Sequence, residues 1–120
     1  MSLTAPDADE ERVLREAAAR LSLHRFEAER GLVYPAEVAE QFVLGYIDGI
    51  RGAALERATR HRGPALGGER LAAFAFGWCR GHADLLGHRP VYAHVERWLS
   101  RRLRPPQSQL PTGFPSVGDG

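Results

Sequence analysis

Four side chains of the types that bind transition metals lie close together in the C-terminal half of the chain. Cys79 and His82 are three residues apart in a segment with helical periodicity, so they share one side of a helix. His88 and His94 follow at six-residue intervals. Thiolate and imidazole are good zinc ligands, but a single C-x-x-H pair is a weak signal, and Pro90 separates His94 onto another helix. We therefore predict a partly buried, structural His82 and no bound metal or cofactor.

Recognisable catalytic motifs are missing from the sequence. Cys79 as a nucleophile would need a base and a group that orients the base, and nothing in the sequence places either one. His82 and Asp84 are two residues apart and do not face each other on a helix. The G-x-S-x-G, phosphate-loop and H-E-x-x-H patterns are not found. The sequence leaves enzymatic activity uncertain and favours a binding protein.

A basic face is predicted on the last helix, which begins at Pro90 and ends before Pro105. Its basic residues fall on one side of the helix and its apolar residues on the other. Arginine side chains arranged in this way can bind phosphate or carboxylate groups. A solvated face gives the same pattern, and arginine is favourable at a helix C-terminus in any case. We call this the basic face, and it consists of His94, Arg97, Arg101 and Arg104.

Two segments, Phe42–Gly49 and Phe74–Gly81, share the pattern Phe-x-x-Gly-aromatic-x-x-Gly at an offset of 32 residues. Each glycine inside a helix costs about 1 kcal/mol relative to alanine, so some contact must offset that cost. The glycines either let two helices of the chain approach closely or leave room for a partner helix or a small ligand. These glycine–aromatic faces comprise Phe42, Gly45, Tyr46, Gly49, Gly52, Phe74, Gly77, Trp78, Gly81 and His82.

The segment Phe42–Ala53 resembles a helix of the Tai/Rap-type immunity proteins, which block secreted amidase toxins. The resemblance implies an immunity-type inhibitor as one alternative function. Those proteins are typically exported and linked by disulfides. This sequence departs from them because it has a single cysteine and an acidic, polar N-terminus that does not read as a signal peptide.

Helical periodicity, proline and glycine divide the chain into four predicted helices. No strand-like alternation is convincing, so we predict an all-α, single-domain four-helix bundle over residues 1–104. Residues 105–120 are rich in proline and glycine and are predicted to form a disordered tail. The predicted helices span about 7–30, 35–61, 68–86 and 90–104.

The first helix carries an apolar stripe that we expect to face the core. Leu23 and Phe26 fall off this stripe, so a bend or break near Ser22 is expected. The stripe consists of Leu14, Ala17, Ala18 and Leu21.

Charge is unevenly distributed along the chain. Residues 1–50 contain ten acids and five arginines, whereas residues 51–120 contain five acids and eleven arginines. This asymmetry favours attraction between the two halves within the fold, and it also suits an anionic partner for the second half. Basic side chains are arginine or histidine and never lysine, and asparagine is also absent, which is typical of a GC-rich bacterial genome.

Composition indicates a cytoplasmic protein. Cys79 is the only cysteine, so no intrachain disulfide can form. No uncharged apolar run approaches the roughly 18 residues that a membrane helix needs. Our leading hypothesis is a small helical adaptor or regulatory protein that binds a protein partner or itself, as a homodimer, through the glycine–aromatic faces. The alternatives are a nucleic-acid-binding accessory protein that uses the basic face, and a domain that binds a small ligand or a metal.

Overall fold

The computed structural model of the chain describes residues 8–62 and 67–103. These two ranges contain helices and connecting segments but no strand, so the all-α prediction is confirmed. None of their helices is long and apolar enough to cross a membrane. Arg104 and the predicted tail lie outside the described residues. The helices are α1 (Ala8–Arg30), α2 (Ala36–Ile50), α3 (Leu55–Arg62), α4 (Gly68–Leu86) and α5 (Tyr92–Leu103).

The described residues form five helices, so the predicted number of four was wrong. The long helix expected over residues 35–61 ends at Ile50, and α3 begins after a turn. Gly52 has φ +86°, a left-handed conformation that glycine adopts without steric cost. The amide of Ala53 donates to the carbonyl of Asp48 at 3.1 Å, and the amide of Gly52 donates to that of Gly49 at 3.0 Å. This pair of bonds is the Schellman motif, which terminates a helix.

Helices α2 and α4 form the centre of the fold and run parallel. Gly45 of α2 lies against the carbonyl group of Phe74. Gly49, one turn later, lies against the carbonyl group of Trp78, one turn further along α4. A parallel pair requires the chain to return from the end of α2 to the start of α4, and α3 lies within this return.

Helix α1 covers one side of the central pair and is antiparallel to α2, since residues 8–15 and 44–51 line the same groove. Helix α1 is continuous from Ala8 to Arg30, so the expected break near Ser22 does not occur. Three of the four residues of its predicted stripe, Leu14, Ala17 and Leu21, are exposed, and only Ala18 packs against the core. The side that packs on the core instead carries Ala19, Ser22, Leu23 and Phe26.

The buried apolar side chains form two clusters on either side of the α2–α4 contact. The first is built around Phe26 and Phe42, whose ring centroids are 5.3 Å apart. The second lies between α4 and α5 and includes Val95 and Leu99. Helix α3 is tied to α5 by Glu56, which accepts a hydrogen bond from the indole of Trp98 at 3.0 Å. The two clusters hold α1 and α5 against the central pair.

Candidate interaction surfaces

The glycines of the repeated segments form an internal helix–helix contact. A Cβ atom built on Gly45 would lie 2.0 Å from the carbonyl oxygen of Phe74, and one built on Gly77 would lie 2.0 Å from that of Phe42. The corresponding distance for Gly81 is 2.1 Å, to the carbonyl oxygen of Tyr46. The main chain of the neighbouring helix therefore fills the space that side chains would occupy, and no partner can enter it.

The aromatic members of the repeats are anchored by hydrogen bonds rather than left available to a partner. Tyr46 is 2% exposed, and its hydroxyl donates to Asp84 Oδ2 at 2.5 Å. The indole of Trp78 donates to the carbonyl oxygen of Ala53 at 2.7 Å. The ring of His82 stacks on that of Trp78 with centroids 4.7 Å apart, which agrees with a structural, partly buried His82.

Three members of the predicted faces remain: Phe42, Phe74 and Gly52. Phe42 and Phe74 are fully buried, so they are core residues. Gly52 does not extend the stripe of Gly45 and Gly49, because it lies in the turn after α2. Most of the glycine–aromatic faces thus packs inside the fold, and only Gly52, Trp78 and His82 keep some exposed surface.

A cavity of about 320 Å³ between α4 and α5 brings the potential metal ligands together. Within the described ranges, however, no group of three such side chains is arranged to hold a metal ion. Burial raises the pKa of the Cys79 thiol, which disfavours the thiolate needed for a nucleophile or a zinc ligand. The Nδ1 atom of His94 instead lies 2.9 Å from an amino group of Arg97. The cavity is lined by Trp78, Cys79, His82, His88, Val91, His94 and Val95.

The basic face is exposed along the described part of α5. His94, Arg97 and Arg101 are all exposed, whereas Arg104 lies outside the described residues. The neighbouring Arg102 is not available in the same way, because its guanidinium group forms an ion pair with Glu56 of α3. Three of the four residues of the basic face are therefore accessible to solvent, and His94 also lines the cavity between α4 and α5.

A largely buried arginine that links three helices was not predicted from the sequence. The side chain of Arg80 is only 12% exposed. Its Nε atom donates to Ser22 Oγ at 2.5 Å, and one of its amino groups donates to Tyr92 Oη at 2.8 Å and to Glu29 at 3.2 Å. Arg80 thereby joins α1, α4 and α5. Its burial could have been predicted from the sequence, because Arg80 lies on a side of the helix that is lined by apolar residues.

A second arginine was also missed. The guanidinium group of Arg30 lies over the rings of Phe26, Phe76 and Tyr92, at 5.1, 4.9 and 5.2 Å from their centroids. Cation–π contacts of this kind stabilise an arginine on an aromatic surface. Arg30 also pairs with Glu96 of α5 at 3.4 Å. These contacts link the end of α1 to α5. The Arg30–Glu96 and Arg80–Glu29 pairs each join a charge from the first half of the sequence to an opposite charge from the second half.

The outer side of α1 is an exposed apolar surface. Val13 is 59% exposed, Leu14 60% and Leu21 53%, and Ala17 between them is also exposed. We call these four residues the outer stripe. On a helical projection the outer stripe lies opposite the side of α1 that packs on the core. Exposed apolar residues that form a continuous stripe, rather than scattered single positions, mark a site of interaction.

Comparisons with known proteins do not add to these observations. No protein-family model matches the chain, and neither the curated proteins nor the solved structures include a significant match.

Proposed function

We propose that this chain is a small helical protein-interaction protein, an adaptor or regulator, whose binding surface is the outer stripe of α1. The observation that carries the proposal is the exposure of Val13, Leu14 and Leu21, each of which leaves more than half of its surface in contact with solvent. A helix that packs a different side on the core has no structural need for these three residues.

The rest of the molecule supports a binding role more than a catalytic one. The only cysteine is buried with a raised pKa, and the buried Tyr46 is already bonded to Asp84. A helix that lays an apolar stripe against a partner uses contacts one turn apart. Leu14, Ala17 and Leu21 have this spacing.

Site-specific photo-crosslinking tests the proposal. A photoreactive amino acid replaces Ala17, at the centre of the outer stripe, in the full chain expressed in cells. Ala93 on α5 is also exposed and serves as the control position. We expect adducts to another polypeptide from position 17 and not from position 93, and we expect Leu14→Ser/Leu21→Ser to abolish them. Equal labelling at both positions would overturn the proposal.

Nucleic-acid binding through the basic face is a second candidate. It is favoured by the exposure of Arg97 and Arg101 on the same side of α5 as His94. Arginine side chains on one side of a helix can contact successive phosphates, which supplies affinity without base recognition. The salt dependence of binding tests this candidate independently of the outer stripe.

A further inference from the structure

We propose that the partner of the outer stripe is a second copy of this chain, and that the two α1 helices pack antiparallel. This inference rests on the proposed function, because it names the occupant of the same surface. It is carried by two observations: the spacing of the exposed residues along α1, and the arrangement of charges beside them.

The exposed residues of α1 follow the spacing of a coiled coil. Positions that alternate three and four residues apart form the a and d seam of a heptad repeat. Every residue on this seam in α1 is exposed, over about 27 Å at 1.5 Å per residue. Such a seam is completed by a second helix with the same spacing. The seam of α1 consists of Glu10, Leu14, Ala17, Leu21, His24 and Ala28.

In two of its three distinct pairings, an antiparallel register places a large residue of one copy against a small residue of the other. Ala17 of one helix lies opposite Leu21 of the second copy, and Glu10 lies opposite Ala28. Leu14 lies opposite His24, whose side chain can place its ring against the leucine while its nitrogen atoms stay in water. Each of these pairs of opposed residues occurs twice, because a two-fold axis relates the two copies. Alternation of leucine with alanine lets the two helices approach closely.

The charges beside the seam favour the same orientation. In the antiparallel register, Glu11 lies beside Arg25 of the second copy, and this contact is repeated by the symmetry. Both residues are exposed. The register also brings Arg20 beside its own copy. Each Arg20 already pairs with Glu16 at 3.5 Å and with Glu40 at 3.1 Å, which offsets the repulsion.

A parallel pair of α1 helices is less favourable. It would place the three acids of the first turn, Asp9, Glu10 and Glu11, next to their own copies. Like charges in contact oppose association. The antiparallel pair instead brings this acidic end towards Arg25 and His24, near the other end of the partner helix. A seam of this length is small for a protein interface, so we expect an affinity in the micromolar range.

Sedimentation equilibrium of the full chain, from about 10 to 500 µM, measures the association. We expect the wild-type mass to rise towards the dimer and Leu14→Ser/Leu21→Ser to stay monomeric. The control is Leu85→Ser/Leu86→Ser, which removes two leucines that are 48% and 56% exposed on α4, and it should dimerise normally. Glu11→Arg and Arg25→Glu should each weaken the dimer about tenfold, and the double exchange should recover most of the loss.

Disulfide trapping measures the orientation. In a Cys79→Ala background, Glu10→Cys and Ala28→Cys chains are mixed under mild oxidation. An antiparallel pair gives mainly the mixed disulfide between positions 10 and 28. Disulfides that join position 10 to position 10 would show a parallel pair and overturn the register. A wild-type protein that is monomeric at the highest concentration would overturn the dimer itself.

The two proposals fail in distinguishable ways. If the chain is monomeric but position 17 still crosslinks to a different polypeptide, the interaction function stands and self-association is wrong. If position 17 crosslinks within a single chain, a segment of the same molecule covers the outer stripe and both proposals are wrong. Loss of dimer in the Leu85→Ser/Leu86→Ser control would move the interface to the end of α4.

Discussion

Gly45 and Gly77 are related by a local two-fold symmetry across the contact between α2 and α4. The Cβ position of Gly45 is occupied by the main chain at Phe74, and that of Gly77 is occupied by the main chain at Phe42. Phe42 and Phe74 are themselves equivalent in the two repeats. The offset of 32 residues therefore corresponds to a spatial symmetry. Each repeat supplies a glycine, and its backbone occupies the Cβ position of the glycine in the other repeat.

The glycine contact predicts a sharp loss of stability on adding one methyl group. Helix propensity alone would make Gly77→Ala stabilising by about 1 kcal/mol. We instead expect it to lower the free energy of unfolding by about 3 kcal/mol, because the new Cβ meets backbone that cannot rotate away. Urea denaturation measures the change. Gly67→Ala is the matched control, since its Cβ meets nothing within 4 Å, and it should cost less than about 1 kcal/mol. Equal effects at the two positions would contradict the prediction.

The tyrosines predict a loss of stability at alkaline pH. Burial raises the pKa of Tyr34, Tyr46 and Tyr92 above the ordinary value of 10.0, and the bond to Asp84 adds to the effect at Tyr46. The unfolded chain therefore loses these protons first. Stability is fully present below about pH 10 and falls as the pH rises above it. We expect phenolate absorbance to appear together with the loss of helical circular dichroism. Phenolate formation near pH 10 in a fully helical protein would rule this out.

Removing the hydroxyl of Tyr46 tests its share of the alkaline transition. Tyr46→Phe keeps the ring in the first apolar cluster and loses the bond to Asp84. We expect it to lose about 1 kcal/mol at neutral pH and to show a shallower decline above pH 10 than the wild type. An unchanged alkaline slope would assign the transition to the other two tyrosines.

Arg80 should be the most sensitive charged residue in the described part of the chain. Arg80→Leu leaves the hydroxyls of Ser22 and Tyr92 without this partner, and unsatisfied buried groups cost about 1–3 kcal/mol each. We expect a loss of about 2–4 kcal/mol in urea denaturation. Arg80→Lys should recover only part of it, because an ammonium group cannot reproduce the arginine fork. Arg101→Leu, on the exposed basic face, should stay within about 0.5 kcal/mol.

The basic face predicts salt-dependent binding if the second candidate function is correct. Fluorescence anisotropy with a labelled duplex or single strand should then show an affinity that falls steeply with salt, because neutralised phosphates release counterions. Arg97→Glu/Arg101→Glu should remove the binding without changing the melting temperature. Leu14→Ser/Leu21→Ser is the control and should bind normally. Binding that is weak at low salt in the wild type, or equal in the double mutant, would leave the basic face as a solvated surface.

The sequence was most informative where local rules decide the structure. The predicted ends at residues 30 and 86 match those of α1 and α4, where Gly31 and Gly87 adopt left-handed conformations, and a close helix contact was one of the interpretations of the glycine spacing. The end of α2 was missed because Gly52 sits within an apolar pattern that continues past it. Gly45 and Gly49 remain inside α2 because they pack against α4, so Gly52 could not be distinguished from them by residue type, and only its backbone conformation shows that it ends the helix.

The side of α1 that packs on the core could not be decided from its own sequence. The helix has one apolar stripe through Leu14 and Leu21 and another through Leu23 and Phe26. The second packs inward because Phe26 reaches an aromatic group, Phe42 and Phe76, contributed by α2 and α4. The role of Arg80 could not be predicted for the same reason, because its partners Ser22 and Tyr92 lie 58 and 12 residues away in sequence and on other helices.

The parallel arrangement of α2 and α4 has a consequence for the order of folding. The short connection between α1 and α2 makes their contacts local, so this hairpin can form early. Gly45 and Phe74, by contrast, are 29 residues apart, and their contact requires the chain to close a long loop through α3. The contact between α2 and α4 should therefore form late, after the rate-limiting step. Substitutions at Gly77 should slow refolding less than they speed unfolding, whereas those at Phe26 should do the reverse.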